Sequence, residues 1–272
     1  MNENLILEGK GGNRVAIKAI DNGDGTYSLA TASGTAGRSA QVEGKRVSIS
    51  VGTHDIWEGG ADTIPLPNPL GQQMAIKSTN TDDINGGLGA REVILEYIDS
   101  LGDAKTEYIL MNGTIEVLTV ATNISFVNDF YVRRNGDLPN NNKSTAIGDI
   151  TVYEIGNASL VYNIIKEGGN KSLSTLRKIP NGSTYQIDAL IVSGDTKGVT
   201  VKFRTNESDT GEETEGFLFR VPITIGDSPA SISFPTSIKI SSGRIFKATA
   251  FVPSGASGGD VSYLISGRLD IA

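Results

Sequence analysis

The residues with the most evident capacity for chemistry surround His54, the single histidine of the chain, in the sequence GTHDIWEGG. Ser50 and Asp55 lie close to it in sequence, and a serine, a histidine and an aspartate together can form a nucleophilic triad. Such a triad depends on the geometry of its side chains, which sequence proximity does not establish. A packed turn beside Trp57 explains the same residues. We therefore predict a structural role for His54 and assign no catalytic residue.

Two loops contain residue types that bind cations or phosphates, but neither has the full pattern. The loop Asp21–Gly25 supplies carboxylate and amide oxygens, yet it lacks the glutamate that an EF-hand places six residues after its glycine. The loop Gly86–Gly89 precedes a predicted strand, whereas a phosphate-binding loop follows a strand and begins a helix. We interpret both segments as turns and predict neither a metal site nor a cofactor.

Paired acids occur at Asp82-Asp83 and at Glu212-Glu213. A glycosidase needs two carboxylates that face each other across a sugar, commonly beside aromatic side chains. Aromatic residues make up only 6% of this chain, and both pairs fall in predicted loops, so we interpret them as solvated. The prediction is that the protein is not an enzyme. Cleavage of a glycan is kept as the remaining enzymatic alternative.

Composition excludes several classes of partner. The net charge is −7 and no run of lysine or arginine occurs, so we expect no nucleic acid to bind. The chain has no cysteine, which excludes disulfides and thiolate metal sites and fits synthesis in a reducing cytoplasm. No segment approaches eighteen consecutive apolar residues, and the N-terminus lacks a signal-peptide pattern. We therefore expect no membrane association.

Alternation of apolar and polar residues predicts strands along most of the chain. The segment Arg91–Val120 shows this period in three runs, which Asn112-Gly113 and a short polar turn separate, and it predicts a three-stranded meander. One short helical turn is predicted at Leu173–Lys178. Further strands are predicted at Arg46–Val51, Gln72–Lys77, Phe126–Val132, Ile150–Ile155, Ser159–Ile165, Tyr185–Val192, Val199–Arg204, Phe217–Ile225, Ala230–Phe234, Arg244–Phe251 and Val261–Ile271.

These strands and their short turns predict an all-β protein with antiparallel sheets, either a β-sandwich or a jelly-roll-like fold. One large sandwich and two stacked sandwiches are both compatible with the pattern. We divide the chain into an N-terminal arm with a short hairpin (1–41), a first β-sandwich region (42–155) and a second β-sandwich region (156–272).

The N-terminal region has too few large apolar residues to bury a core of its own. It contains strand candidates at Val15–Ile20 and Thr26–Ala30, followed by the small, polar segment Thr31–Ala40, which we interpret as a linker. An extended arm that orders on a neighbouring subunit, a flexible tail and a hairpin docked on its own domain all fit this composition.

The stretch Asp82–Thr119, DDINGGLGAREVILEYIDSLGDAKTEYILMNGTIEVLT, resembles structural proteins of tailed-phage virions. The resemblance lies in the glycine-rich loop before Ala90-Arg91, the strands with Glu-Tyr pairs and the Leu-Met-Asn-Gly-Thr segment. A looser similarity extends to GDITV, which contains Ile150, and to IPNGS at Ile179–Ser183. These motifs mark strands and turns, so the resemblance carries over no functional residue.

The resemblance implies a noncatalytic β-sandwich protein that is built into a tailed-bacteriophage virion. Its expected place is the head surface, as a capsid decoration protein assembled in the host cytoplasm. Its expected partners are other virion proteins, namely major capsid or tail proteins, and further copies of itself in a homo-oligomer. The alternative is a tail- or fibre-associated protein that binds a host receptor or a glycan, with Trp57, Tyr131 and Tyr153 as candidate contact residues.

Overall fold

The computed structural model describes residues 4–8, 14–21, 27–30, 38–136, 145–195, 198–206, 218–225, 229–256 and 258–271. Throughout these residues the regular structure consists of β-strands. In chain order they are β1 (Asn4–Glu8), β2 (Arg14–Asp21), β3 (Tyr27–Ala30), β4 (Arg38–Arg46), β5 (Gly52–Asp55), β6 (Met74–Ser78), β7 (Ala90–Asp99), β8 (Ala104–Leu110), β9 (Val117–Leu118), β10 (Ile124–Asn135), β11 (Ile150–Glu154), β12 (Asn157–Ile165), β13 (Arg177–Lys178), β14 (Ser183–Gly194), β15 (Thr200–Thr205), β16 (Leu218–Thr224), β17 (Ala230–Ile240), β18 (Ile245–Val252) and β19 (Val261–Ile271).

The described strands form antiparallel sheets, and each is named here by one of its strands. The N-terminal sheet has the order β1-β2-β3, the β7 sheet β10-β7-β8, and the β6 sheet β12-β11-β6-β9. The β15 sheet has the order β13-β18-β15-β16, with β5 also paired to β18, and the β14 sheet has the order β17-β14-β19-β4. Several of the antiparallel sheets are arranged like a four-bladed propeller. The all-β, antiparallel prediction is confirmed, whereas the sandwich or jelly-roll arrangement stays a prediction.

Apolar side chains from pairs of sheets form shared cores. One cluster combines Val93 and Leu95 of the β7 sheet with Ile76 and Val152 of the β6 sheet. A second combines the β14 and β15 sheets, and a third, smaller cluster contains Trp57, Ile98, Phe126, Ile164, Leu176 and Ile245. Because each sheet buries a face against another, no sheet of these four has to be stable alone.

The predicted meander over Arg91–Val120 is wrong in its third strand. β7 and β8 pair as a hairpin, but β9 pairs with β6 in another sheet, and the third strand of the β7 sheet is β10. Asn112-Gly113 does not connect two paired strands. Instead, the Gly113 N–H donates to the Asp83 carbonyl, and the Ser78 N–H donates to the Gly113 carbonyl. The chain leaves β8 because these contacts bind it to the loop before β7.

Two other predictions also fail. The strand predicted at Arg46–Val51 does not form, because β4 ends at Arg46 and β5 begins at Gly52. Ser48, between them, has a positive φ of 53°, which is incompatible with a continuous strand. The helical turn predicted at Leu173–Lys178 is extended instead, with a bridge from Ser174 to Trp57 and with β13 paired to β18.

Strand pairing crosses both boundaries of the predicted three-region division. β4 begins in the segment interpreted as a linker and pairs along β19, near the other end of the chain. β11 and β12 form a hairpin across residue 155. The division itself stays a prediction.

The described N-terminal residues form a three-stranded sheet, which includes the predicted hairpin, and the arm itself stays a prediction. The predicted strands there correspond to β2 and β3, and β1 pairs on the other side of β2. The described residues do not include Asn22, Asp24, most of the predicted linker or the pair Glu212-Glu213.

Candidate functional site

The side chains of Ser50, His54 and Asp55 do not form a triad. His54 is buried, and its Nδ1 lies 2.6 Å from Asp62 Oδ1 while its Nε2 lies 2.8 Å from the backbone carbonyl of Ser50. The neighbouring Asp55 carboxylate instead lies 2.9 Å from Lys247 Nζ and accepts the Ile64 N–H. Both ring nitrogens of His54 therefore face acceptors in the segments that flank β5. Ser50 contributes its backbone carbonyl, and its hydroxyl is not the group that contacts His54.

Arg46 binds the loop that follows Trp57. Its guanidinium donates to the carbonyls of Gly60 and Ala61 and to Asp62 Oδ1, and the Trp57 indole N–H also donates to Ala61. The hydrogen bond from His54, and then the charges around it, hold the pKa of Asp62 below its usual value of 3.8. Sequence reasoning missed Arg46 and Asp62, because a lone arginine and a lone aspartate carry no motif.

Asp83 is buried, contrary to the prediction of a solvated pair, while Asp82 is exposed. Its carboxylate accepts the Ser78 hydroxyl at 2.6 Å and the Ala90 N–H at 2.7 Å. It also accepts the N–H groups of Ile147 at 3.0 Å and Gly148 at 2.9 Å. A carboxylate that holds four donors from three chain segments organises the fold and has no free oxygen directed at a substrate.

The glycine-rich loop fits around this carboxylate. A Cβ at Gly89 would lie 2.1 Å from Asp83 Oδ1, so a larger residue would displace the buried acid. The Gly89 N–H donates to the Asp82 carbonyl, and the Arg91 guanidinium donates to the Gly87 carbonyl. The loop therefore closes on itself, as the prediction of a turn required, and its glycines permit close approach of backbone and side chain.

Two of the three aromatic residues suggested for ligand contact are buried. Trp57 is 1% exposed and Tyr153 is 2% exposed, and the Tyr153 hydroxyl donates to Glu116. Tyr131 is half-buried and donates to Glu96. Tyr108 on β8 is an exposed aromatic that sequence reasoning missed, at 55% exposure, with the Arg133 guanidinium 4.6 Å from its ring centre.

A cleft of about 300 Å³ lies between the β7 sheet and the ends of β4 and β19. Its walls include Tyr97, Arg177 and Tyr185. Asp129 forms ion pairs there, with Lys171 at 3.3 Å and with Arg177 Nη2 at 3.5 Å, the second without hydrogen-bond geometry. Burial raises the pKa values of the Tyr97 and Tyr185 hydroxyls, which therefore stay protonated at neutral pH. Within this cleft the Asp129 carboxylate is neutralised by two cationic side chains, and Glu96 accepts the Tyr131 hydroxyl.

The most open part of the β7 sheet is the outer edge of β8. Within the described residues β8 pairs with β7 alone. The Asp99 N–H donates to the Asp103 carbonyl and the Met111 N–H to the Arg91 carbonyl, so in this ladder the odd-numbered residues of β8 bond to β7. The N–H and C=O groups of the even-numbered residues therefore point to the outer edge.

Exposed apolar side chains accompany this edge. Tyr108 and Leu110 project from the face of β8 opposite the buried Ile109. Leu118 and Val120 are also exposed, and the Glu107 carboxylate of β8 accepts the N–H groups of Val120 and Ala121. This edge combines free backbone groups with apolar surface, which is the composition of a surface that pairs with another chain.

Comparisons with known proteins leave the family open. No protein-family model matches the chain, and no curated protein matches it. Among solved structures, the chain is similar to one titled "Structure of infectious bursal disease virus Gt strain", with 10% identity over 86% of this chain and 70% of that chain. The TM-score is 0.22, a value at which the likeness carries no argument about fold or function.

The described residues include no helix long and apolar enough to cross a membrane.

Proposed function

We propose that the protein is a noncatalytic structural component of a tailed-phage virion, located on the head surface as a capsid decoration protein. The observation that carries the proposal is the contrast between the buried polar side chains, which are bonded within the fold, and the open sheet edge. The side chains most suited to chemistry, His54 and Asp83, are committed to hydrogen bonds within the fold. The outer edge of β8 has no such commitment within the described residues.

The sequence resemblance of Asp82–Thr119 to tailed-phage virion proteins supplies the biological setting for this proposal. That stretch contains both the buried Asp83 and the open strand β8. An acidic chain with net charge −7 also suits a surface that must not bind DNA during packaging. Its proposed partners are a major capsid protein and further copies of itself.

Mass spectrometry of virions tests the proposal. Gradient-purified particles from the host that carries this gene are digested, and peptides are quantified against those of the major capsid protein. We expect peptides of this chain at many copies per particle. Their absence from particles, with the chain abundant in the soluble lysate, would contradict a virion role.

The second candidate is a tail- or fibre-associated protein that binds a host receptor or glycan. Tyr108 favours it, because an exposed aromatic ring beside an arginine is a surface on which a sugar can stack. A glycan array built from host polysaccharides separates the two. Binding that Tyr108→Ala removes would favour the receptor role, and an array without signal would weaken it.

A further inference from the structure

We propose that β8 pairs with β8 of a second copy of this chain, in antiparallel orientation about a two-fold axis at Thr106. The pairing extends the β7 sheet from one copy into the next. It rests on the proposed function for its biological setting, and it adds the surface and the register through which copies associate.

The backbone geometry of the edge supports a paired strand. The outward N–H and C=O groups belong to Ala104, Thr106, Tyr108 and Leu110, as the ladder to β7 requires. No described contact uses these backbone groups, so a row of donors and acceptors lies open. An extended strand that adds to such an edge completes the ladder with main-chain hydrogen bonds.

Charge complementarity favours a second copy and this register. Within one copy Lys105 Nζ lies 3.4 Å from Asp103 Oδ2 and 3.8 Å from Asp99 Oδ2, and its side chain is 46% exposed, so it stays accessible to a carboxylate of the other copy. With Thr106 opposite Thr106, Lys105 of each copy lies opposite Glu107 of the other, and the pair occurs twice because of the two-fold axis. A register centred on Glu107 would place two glutamates opposite each other, and one centred on Tyr108 would leave Glu107 opposite Ile109. Opposite charges across an antiparallel pair stabilise it, and like charges destabilise it.

Side-chain size is compatible with the same register. Tyr108 of one copy lies opposite Ala104 of the other, so the large exposed ring faces the smallest side chain of the strand. Two other edge strands are less suited to pairing, because β16 contains Pro222 and β17 contains Pro235. Proline lacks the N–H that a ladder needs and commonly blocks an edge strand. The sequence of β8 contains no proline.

Thr106→Pro tests the role of the backbone. The Thr106 N–H points away from β7, so its loss removes no hydrogen bond from the fold but disrupts the centre of the intermolecular ladder. Thr106→Val is the matched control, because it keeps the N–H and the β-branched shape. Light scattering coupled to size-exclusion chromatography should give twice the monomer mass for the wild type and Thr106→Val, and the monomer mass for Thr106→Pro.

Charge reversal tests the register independently of proline. Lys105→Glu places two acids opposite each other at both sites, and we expect the dissociation constant of the dimer to rise roughly tenfold or more. Glu107→Lys should have the same effect through paired lysines. Because it also removes the acceptor of the Val120 and Ala121 N–H groups, circular dichroism must first show that this variant is folded. A mixture of the two variants should recover the dimer, because a glutamate at 105 then faces a lysine at 107.

A wild type that remains monomeric at all concentrations would overturn the inference, as would a Thr106→Pro variant that is folded by circular dichroism and still dimeric. If Thr106→Pro does not fold, the mixed charge-reversal experiment decides, and failure to recover a dimer there overturns the register. These readouts use purified protein alone. A monomeric protein that is still found in virions would reject this inference and leave the proposed function standing.

Discussion

At the scale of single residues, buried polar side chains of this protein link separate segments of the chain through hydrogen bonds. Asp83 joins the segment after β6, the start of β7 and the segment before β11 through four hydrogen bonds. A buried group of this kind is costly to leave without partners, and its removal exposes several unsatisfied donors at once. Asp83, which the sequence presents as one member of an acid pair, therefore contributes to the stability of the fold.

Asp83→Asn should lower the free energy of unfolding by about 3 kcal/mol, because an amide N–H₂ then faces backbone N–H donors in a buried site. Asp82→Asn is the matched control at the next position, and its exposed side chain predicts a change within about 0.5 kcal/mol. Urea unfolding followed by circular dichroism measures both values. Equal effects of the two substitutions would contradict the structural role of Asp83.

The Asp62 carboxylate predicts a dependence of stability on acid pH. The hydrogen bond from His54 lowers its pKa in the folded state, so folding favours the ionised form. The resulting stability is present above the unfolded pKa and is lost as the pH falls from there through the lower folded pKa.

Asp62→Asn should therefore reduce the melting temperature at pH 6, and the difference from the wild type should shrink as the pH falls below the usual aspartate pKa of 3.8. Differential scanning calorimetry at several pH values measures the difference, with Asp82→Asn as a control acid outside the network. A difference that stays constant or grows on acidification would show that Asp62 does not stabilise the fold through its charge.

At the scale of elements, the turn between β7 and β8 joins the first half of the chain to the second. Asn181 donates from its side chain to the Leu101 carbonyl and from its backbone to the Gly102 carbonyl. Gly102 has a φ of +87°, and a Cβ there would lie 2.5 Å from the Asn181 amide nitrogen. The turn is thus shaped by its own glycine and by a contact about eighty residues away along the chain.

Gly102→Ala should destabilise the protein by about 1–3 kcal/mol, because alanine is strained at positive φ and its methyl group displaces Asn181. Leu101→Ala removes an adjacent side chain that is 74% exposed, and a small effect is expected. Chemical unfolding of both variants measures the comparison. A Gly102→Ala variant as stable as the wild type would show that this turn does not constrain the fold.

Local pattern predicted most strands because alternation is a property of each segment. In β15 the residues Val201 and Phe203 are buried and Lys202 between them is not, which is the pattern that the sequence displays. β4 was missed because Val42 is its one large apolar residue, and its extended form depends on pairing with β19. Such pairing depends on residues more than two hundred positions away, which no local pattern contains.

The candidate sites could be assigned from sequence only where local pattern was sufficient, because contacts between distant segments are not visible in it. The glycines near Gly86 were correctly interpreted as a turn, because their context lacked a following helix. The burial of Asp83 and the contact of His54 with Asp62 depend on how the loops fold back, so the sequence did not reveal them. The open edge of β8 was also hidden, since the predicted meander placed β9 beside it.

At the scale of the whole molecule, antiparallel sheets pack against each other through shared apolar cores, and a further sheet precedes them in the sequence. Symmetric association turns one surface into many contacts, so a single open edge per copy is enough to connect neighbours in pairs. Together, the proposed virion role and the proposed β8 pairing predict a regular arrangement of copies on a particle.

An electron-microscopy map of the virion tests that expectation most directly. We expect density for this chain on the outer surface of the head, in symmetric copies. The β8 strands of neighbouring copies should be antiparallel, with the two-fold axis at Thr106. A map of particles that contain the chain but place it inside the head or at the tail tip would contradict the head-surface role. A map without density for it would contradict a virion role altogether.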